Sequence, residues 1–177
     1  MEEYVVLVNQ ENDVLGTMPK LEAHEKGILH RAFSVFIFNE LGELMLQQRA
    51  ASKYHSPLLW TNTCCSHQRI NEENVAAGMR RLKEEMGFCV DLSELFSFIY
   101  QAPFDNGLTE HELDFVLIGH YNGLPEINKE EVEDWKWISL EVLIEDIKNN
   151  PDNYTIWFKI IFDKFYHYIL DNNIKKL

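Results

Sequence analysis

Cys65 and His67 close a short uncharged run, Trp60-Thr61-Asn62-Thr63-Cys64-Cys65-Ser66-His67, of β-prone and small polar residues. On an extended strand alternate side chains share a face, so the thiol and the imidazole point the same way. A thiol beside an imidazole is compatible with three chemistries: a nucleophile with its base, a metal site, or a proton-transferring thiol next to a metal. Glu110 and Glu112 also share a strand face, with His111 turned away. Two neighbouring carboxylates repel each other unless a cation lies between them or water surrounds them. With His24, His30 and His67 they form a mixed nitrogen and oxygen set suited to a six-coordinate divalent ion such as Mn²⁺, Mg²⁺ or Zn²⁺.

Several elements must position these groups. Tyr4 to Asn9 reads as a strand, Asn12-Asp13 as the turn into a second one ending at Gly16-Thr17, and Lys20 to Lys26 as a short helix stopped by Gly27. His30 to Phe38 is the strongest strand signal, Asn39 to Gly42 its hairpin turn, and Glu43 to Arg49 the return. After the loop at Pro57 the Trp60–His67 run is the next strand. Val75, Met79, Leu82 and Met86 give one apolar helix face ending at Gly87, with Asn71 as its expected N-cap and Glu72 and Glu73 in its first turn. Gly78, Arg81 and Glu85 flank that face. Strands follow over Phe96 to Ala102, Glu110 to Tyr121 and Trp135 to Ile138. Ser139 caps a helix reaching about Lys148, and a last helix runs from about Tyr154 to Leu170. This order predicts a mixed sheet with helices packed on its faces.

The 177 residues fit one domain with a sizeable core, and 46% hydrophobic with 25% charged residues suits a soluble globular chain. No stretch approaches the roughly 18–20 apolar residues of a membrane span. The acidic start, Met1-Glu2-Glu3-Tyr4, is unlike a basic targeting signal, so a cytoplasmic location is expected. Three cysteines, two of them adjacent, make a poor disulfide framework; Cys64 and Cys89 are expected to be small core residues. A formal net charge of −13 opposes nucleic acid as a partner and makes any lysine or arginine gathered at a site informative.

Ser66-x5-Glu72-x7-Arg80-Arg81-Leu82-Lys83-Glu84-Glu85-Met86-Gly87-Phe88 resembles the Nudix box, G-x5-E-x7-R-E-U-x-E-E-x-G-U. It departs at Ser66, where the box has Gly, and at Arg81, where it has a metal-binding Glu. A reversed charge there weakens the cation cluster that activates water for hydrolysis. It leaves diphosphate binding open, since arginine grips phosphate oxygens.

The Trp60–His67 run, His30-Arg31-Ala32-Phe33-Ser34-Val35-Phe36, Gln48-Arg49-Ala50-Ala51-Ser52-Lys53 and Glu110-His111-Glu112 together resemble type 1 isopentenyl-diphosphate isomerase, within the Nudix superfamily. Gln68 departs from the Pro that often follows the histidine. The resemblance implies an α/β (α+β) chain forming a single compact domain over 1–177. Its Nudix-like mixed-sheet core would lie at about 28–162, with N-terminal strands 4–17 and a C-terminal helix at about 154–170 packed on it. It implies His24, His30, His67, Glu110 and Glu112 as ligands of a divalent metal (Mn²⁺, Mg²⁺ or Zn²⁺), and Glu85 as holder of a Mg²⁺ that also contacts diphosphate. Lys20, Arg49, Lys53, Ser66 and Arg81 are implied to bind the diphosphate. Cys65 and Glu112 would move protons on opposite sides of the five-carbon chain, assisted by Tyr100 and by the indole of Trp157, which packs as ordinary core or as active-site wall. The implied activity interconverts isopentenyl and dimethylallyl diphosphates by protonation and deprotonation in isoprenoid biosynthesis, by a monomer or weak homodimer. The competing readings are a Nudix pyrophosphohydrolase acting on a nucleotide or prenyl diphosphate, and a non-catalytic metal- or diphosphate-binding module.

Overall fold

A computed structural model describes residues 3–53, 55–104 and 106–172. Its organising strand is β3 (His30–Phe38), a nine-residue run of mostly β-branched and aromatic side chains that is almost wholly buried. On one side it pairs antiparallel with β6 (Cys64–Ser66), Ser34 facing Cys65. On the other it pairs parallel with β8 (Thr109–His120) over its whole length, His30 facing Glu112. Antiparallel β7 (Ser93–Pro103) lies beyond β8, with Tyr100 opposite Glu112. β1 (Tyr4–Val8) and β2 (Val14–Pro19) form a hairpin attached to β3 at Leu7 and His30. β4 (Leu44–Arg49) leaves β3 after a single pair, Phe38 with Leu44, and instead takes β5 (Trp60–Thr61) and β9 (Val132–Ile138) as neighbours. The sheet is mixed, and the fold class is the α+β one expected.

The alternation of β3 separates two cores. Phe33, Val35 and Ile37 face one cluster with Cys64 and with Ala77, Leu82 and Met86 of α2 (Asn74–Met86). Phe36 and Phe38 face a second, with Leu143 of α3 (Leu140–Asn149) and Trp157, Phe158, Phe162 and Phe165 of α4 (Ile156–Asp171). The short α1 (Lys20–Lys26) ends, as expected, at Gly27 in the left-handed conformation.

The single strand expected over Trp60–His67 is two strands. Between them Asn62 and Thr63 thread the gap where β3 and β4 part. The Thr63 hydroxyl donates to Met45 O (2.6 Å) and accepts from Ile37 N (3.0 Å). The Asn62 amide donates to Val35 O (3.2 Å) and Cys64 O (2.7 Å). Both residues are fully buried, so these bonds replace ladder bonds that the sheet lacks here.

Two other expectations are corrected. Helix α2 starts at Asn74 rather than after Asn71, which is left-handed at φ +61°. Glu72 precedes the helix because its carboxylate is committed elsewhere, accepting from Arg69 N and from two nitrogens of Arg80 at 2.7 and 2.8 Å. Cys89 is exposed rather than core: it lies just past the helix, where Phe88 takes the inward position and stacks on Tyr121 at 3.8 Å.

Candidate active site

A narrow pocket opens where β3, β4, β6, β7 and β8 meet the ends of α1, α2 and α4. Its lining includes every sequence-derived candidate except His30, which is fully buried beside it.

At one end three imidazoles converge, with ring centres 5.1 to 5.8 Å apart. One ligand atom from each of His24, His30, His67 and Glu112 lies within 4.8 Å of the others. His30 Nδ1 is 2.7 Å from Ile28 O, a carbonyl that can only accept, so Nδ1 carries a proton and Nε2 is the atom turned towards the cluster. The Nε2 atoms of His24 and His30 are buried without a hydrogen-bond partner. Burial and the neighbouring rings depress His24 to about 3, and burial depresses His67 to about 4 against the pull of Glu112. The depressed His24 and His67 favour the neutral rings that a divalent metal takes as ligands.

Glu112 sits between this cluster and a phenol. Its Oε1 is 3.0 Å from His67 Nε2 and 3.5 Å from His30 Nε2, and its Oε2 accepts from the Tyr100 hydroxyl at 2.6 Å. Burial works to raise its pKa, but the two rings hold it well below the usual range. Glu110 stands outside the 4.8 Å group. It meets the Tyr100 hydroxyl at 3.0 Å, and burial together with the Glu112 charge pushes it well above the ordinary carboxylate range. The two side chains are therefore pushed in opposite directions, Glu110 towards the acid and Glu112 towards the carboxylate.

Across β3, Cys65 lines the pocket and touches the second core, while Cys64 points into the first. Burial pushes the Cys65 thiol up to about 12 against the pull of Arg49, so the resting group is the thiol, not the thiolate. Trp157 is both core and wall: it is 3% exposed, lines the pocket, and carries the Arg49 guanidinium 5.0 Å from its ring centre. It is held there because Thr155, the cap of α4, donates its N–H to Trp60 O at 3.0 Å and its hydroxyl to Thr61 at 3.2 Å.

The cationic end gathers Lys20, Arg49, Lys53 and Arg81 with Ser66. Arg81 donates to Glu85 Oε1 at 2.6 Å, and Gln47 donates to Glu85 Oε2 at 2.7 Å. Burial opposes the Arg81 charge, but Glu85 and Glu131 more than offset it and raise its pKa. The Nε of Arg49 and Nε1 of Trp157 are buried without partners, as expected of groups that await a ligand.

Three lining residues escaped the sequence reading: Gln47, His55 and Glu131. Gln47 could have been found, since alternation on β4 puts it on the face of Arg49. Glu131 had no signal separating it from its acidic neighbours Glu130 and Glu133. His55 gave none, because its place over Trp157 (5.5 Å) and Phe104 (5.4 Å) depends on loop geometry.

The mixed sheet with a metal-competent cluster beside a carboxylate-bearing helix defines a Nudix-domain protein, and the NUDIX domain family model matches residues 28–158. Solved structures agree on the fold: a protein of Deinococcus radiodurans (TM-score 0.69, 22% identity, 84% of this chain and 90% of that one) and a MutT protein of Methanosarcina mazei (0.63, 19%, 84% and 96%). Among curated proteins, the chain is 47% identical to isopentenyl-diphosphate Delta-isomerase 2 of Aromatoleum aromaticum over 93% of its own length and 87% of the relative's. It is 50% identical to the protein so named in Photorhabdus laumondii (92% and 92%) and 52% identical to the isopentenyl-diphosphate Delta-isomerase of Aliivibrio fischeri (93% and 95%). The chain belongs to the isopentenyl-diphosphate Delta-isomerase family.

Proposed function

We propose that this pocket interconverts isopentenyl diphosphate and dimethylallyl diphosphate. The observation that carries the reading is one pocket lined by a thiol, by a phenol–carboxylate pair and by four cationic side chains. Moving the double bond requires a proton added at one carbon and one removed from the opposite side of the chain two carbons away. Two proton-transferring groups lining one pocket meet that need.

Lys20, Arg49, Lys53 and Arg81, with Ser66, hold the diphosphate and so orient the five-carbon chain inward between Cys65 and Glu112. Glu112 and Tyr100 manage the proton on one face, and Cys65 on the other. The carbocation-like centre between them is stabilised by the face of Trp157, a contact worth roughly 2 kcal/mol when desolvated. His24, His30, His67 and Glu112, with Glu110 behind them, would hold a divalent metal of the Mn²⁺, Mg²⁺ or Zn²⁺ type, and Glu85 a Mg²⁺ shared with the diphosphate. When bound, these ions supply positive charge that acidifies a carboxyl group and neutralises phosphate oxygens.

Hydrolysis is disfavoured by Arg81, which places a guanidinium 2.6 Å from Glu85 where a hydrolase of this fold needs a further metal-binding carboxylate. A cytoplasmic location, a monomeric or weakly dimeric state, and a single domain over 1–177 with its core at about 28–162 accompany the proposal. The test is incubation with isopentenyl diphosphate and divalent metal in deuterated water. Dimethylallyl diphosphate carrying deuterium is the expected product. Release of phosphate or monophosphate without double-bond migration would overturn the reading in favour of a hydrolase.

A further inference from the structure

Three of the four cations assigned to the diphosphate are already engaged by carboxylates, while Arg49 lies over the Trp157 ring. Lys20 Nζ is 3.0 Å from Glu3 Oε2, Lys53 is ion-paired to Glu131, and Arg81 Nη2 is 3.4 Å from the same Glu131 oxygen that Lys53 holds. Glu131 thus bridges two positive side chains at the pocket wall, where an anionic ligand would make the same contacts. Its backbone is fixed independently of its side chain. Glu131 O accepts from Ala50 N at 3.0 Å, Glu131 N donates to Asn128 O at 2.9 Å, and Asn128 N donates to Glu85 O at 2.8 Å. The loop is therefore braced against both β4 and α2, while the carboxylate can swing about its own rotatable bonds.

We infer that Glu131 is an internal counter-anion that occupies Lys53 and Arg81 until a diphosphate displaces it, setting how tightly substrate and product are held. This rests on the diphosphate cradle proposed above and assigns a residue which that reading left out. In a free cradle, Lys53 and Arg81 would repel each other and turn away; the shared carboxylate keeps both aimed at the pocket. On binding, diphosphate oxygens replace the carboxylate, and the displaced negative charge remains nearby and opposes the ligand. Substrate and product carry the same diphosphate, so this opposition falls on both alike. Affinity that is uniform across the reaction does nothing for the chemical step and slows release of product. Glu131 is thus a positioning residue that limits that affinity. The pair is about a quarter exposed (24% and 25%), so solvent screens part of the effect.

The sign distinguishes this role from a structural one, because a residue needed only for folding or for gripping the ligand cannot tighten binding when removed. Inorganic pyrophosphate is titrated calorimetrically into the full, metal-loaded chain as wild type, Glu131→Gln and Arg49→Ala. Glu131→Gln should bind roughly five- to tenfold more tightly, and its KM for isopentenyl diphosphate should fall together with kcat. Glu131→Ala should shift affinity in the same direction, which covers the case in which the amide fails to pack. Unchanged or weaker pyrophosphate binding in the Glu131 variants, while Arg49→Ala loses affinity, overturns the inference and leaves the cradle standing. Unchanged binding in Arg49→Ala overturns the cradle, and this inference with it.

Discussion

The Tyr100 hydroxyl lies 2.6 Å from one oxygen of Glu112 and 3.0 Å from one oxygen of Glu110, so a single phenol joins two buried carboxyl groups. One O–H can donate to only one of them at a time, so the phenol is shared between two carboxyl groups whose proton affinities are pushed apart, Glu110 up and Glu112 down. Tyr100→Phe removes the junction while keeping the ring packed against Phe98. Turnover should fall about 10²-fold, as for loss of a positioned proton-transfer group, with little change in melting temperature. An unchanged kcat by direct product assay would exclude Tyr100 from the proton path.

The neighbouring cysteines should separate cleanly. Cys65→Ser should lower kcat by about 10²–10⁴-fold, because the hydroxyl is a poor substitute for the thiol in moving a proton. Cys64→Ser places a hydroxyl in the fully buried core beneath α2 and should cost about 1–3 kcal/mol of stability with most activity retained. Urea unfolding and steady-state rates measured on both variants check the pair. The opposite pattern would mean that the facing of β6 has been misassigned.

The metal cluster makes stability depend on pH with a definite sign. His24 at about 3 and His67 at about 4 bind protons more weakly in the folded chain than at their ordinary 6.5. Between those values the unfolded chain takes up more protons. The stabilisation is thus complete above about pH 6.5 and lost as pH falls towards 3, by up to about 1.4 kcal/mol per pH unit for each ring. Chelator-treated protein should melt at progressively lower temperature from pH 7 to pH 5. Added Mn²⁺ or Zn²⁺ should raise the melting temperature, and less so at pH 5, where protons compete for the same nitrogens. His30→Gln should abolish the metal-induced rise.

Gly87 ends α2 at φ +79°, and a Cβ there would lie 2.3 Å from the carbonyl oxygen of Glu126. Gly87→Ala therefore combines backbone strain with a backbone clash and should destabilise by about 1–3 kcal/mol. Because Asn128, two residues on from Glu126, is hydrogen-bonded to Glu85 O, KM should rise as well. Denaturant titration alongside kinetics checks both effects.

What the sequence by itself determined was local and periodic. The apolar, β-prone run His30–Phe38 predicts a strand, the Val75–Met86 spacing predicts the helix, and Gly27 and Gly87 mark where helices stop; each depends on neighbours within a few residues. The resemblance to known motifs brought the site residues together as a set. Only the tertiary structure decided what each one touches. It divided the Trp60–His67 run at Asn62 and Thr63, because β3 and β4 part there and leave backbone groups for those side chains to satisfy. It started α2 at Asn74, because Arg80, eight residues away, claims Glu72. It put Cys89 outside, because Phe88 takes the inward place. It also set Glu131 between Lys53 and Arg81, a meeting of three distant segments that no local pattern of charges encodes. Packing and electrostatics between such segments depend on distances through space, and those exist only once β3 has drawn β6 and β8 to its two sides.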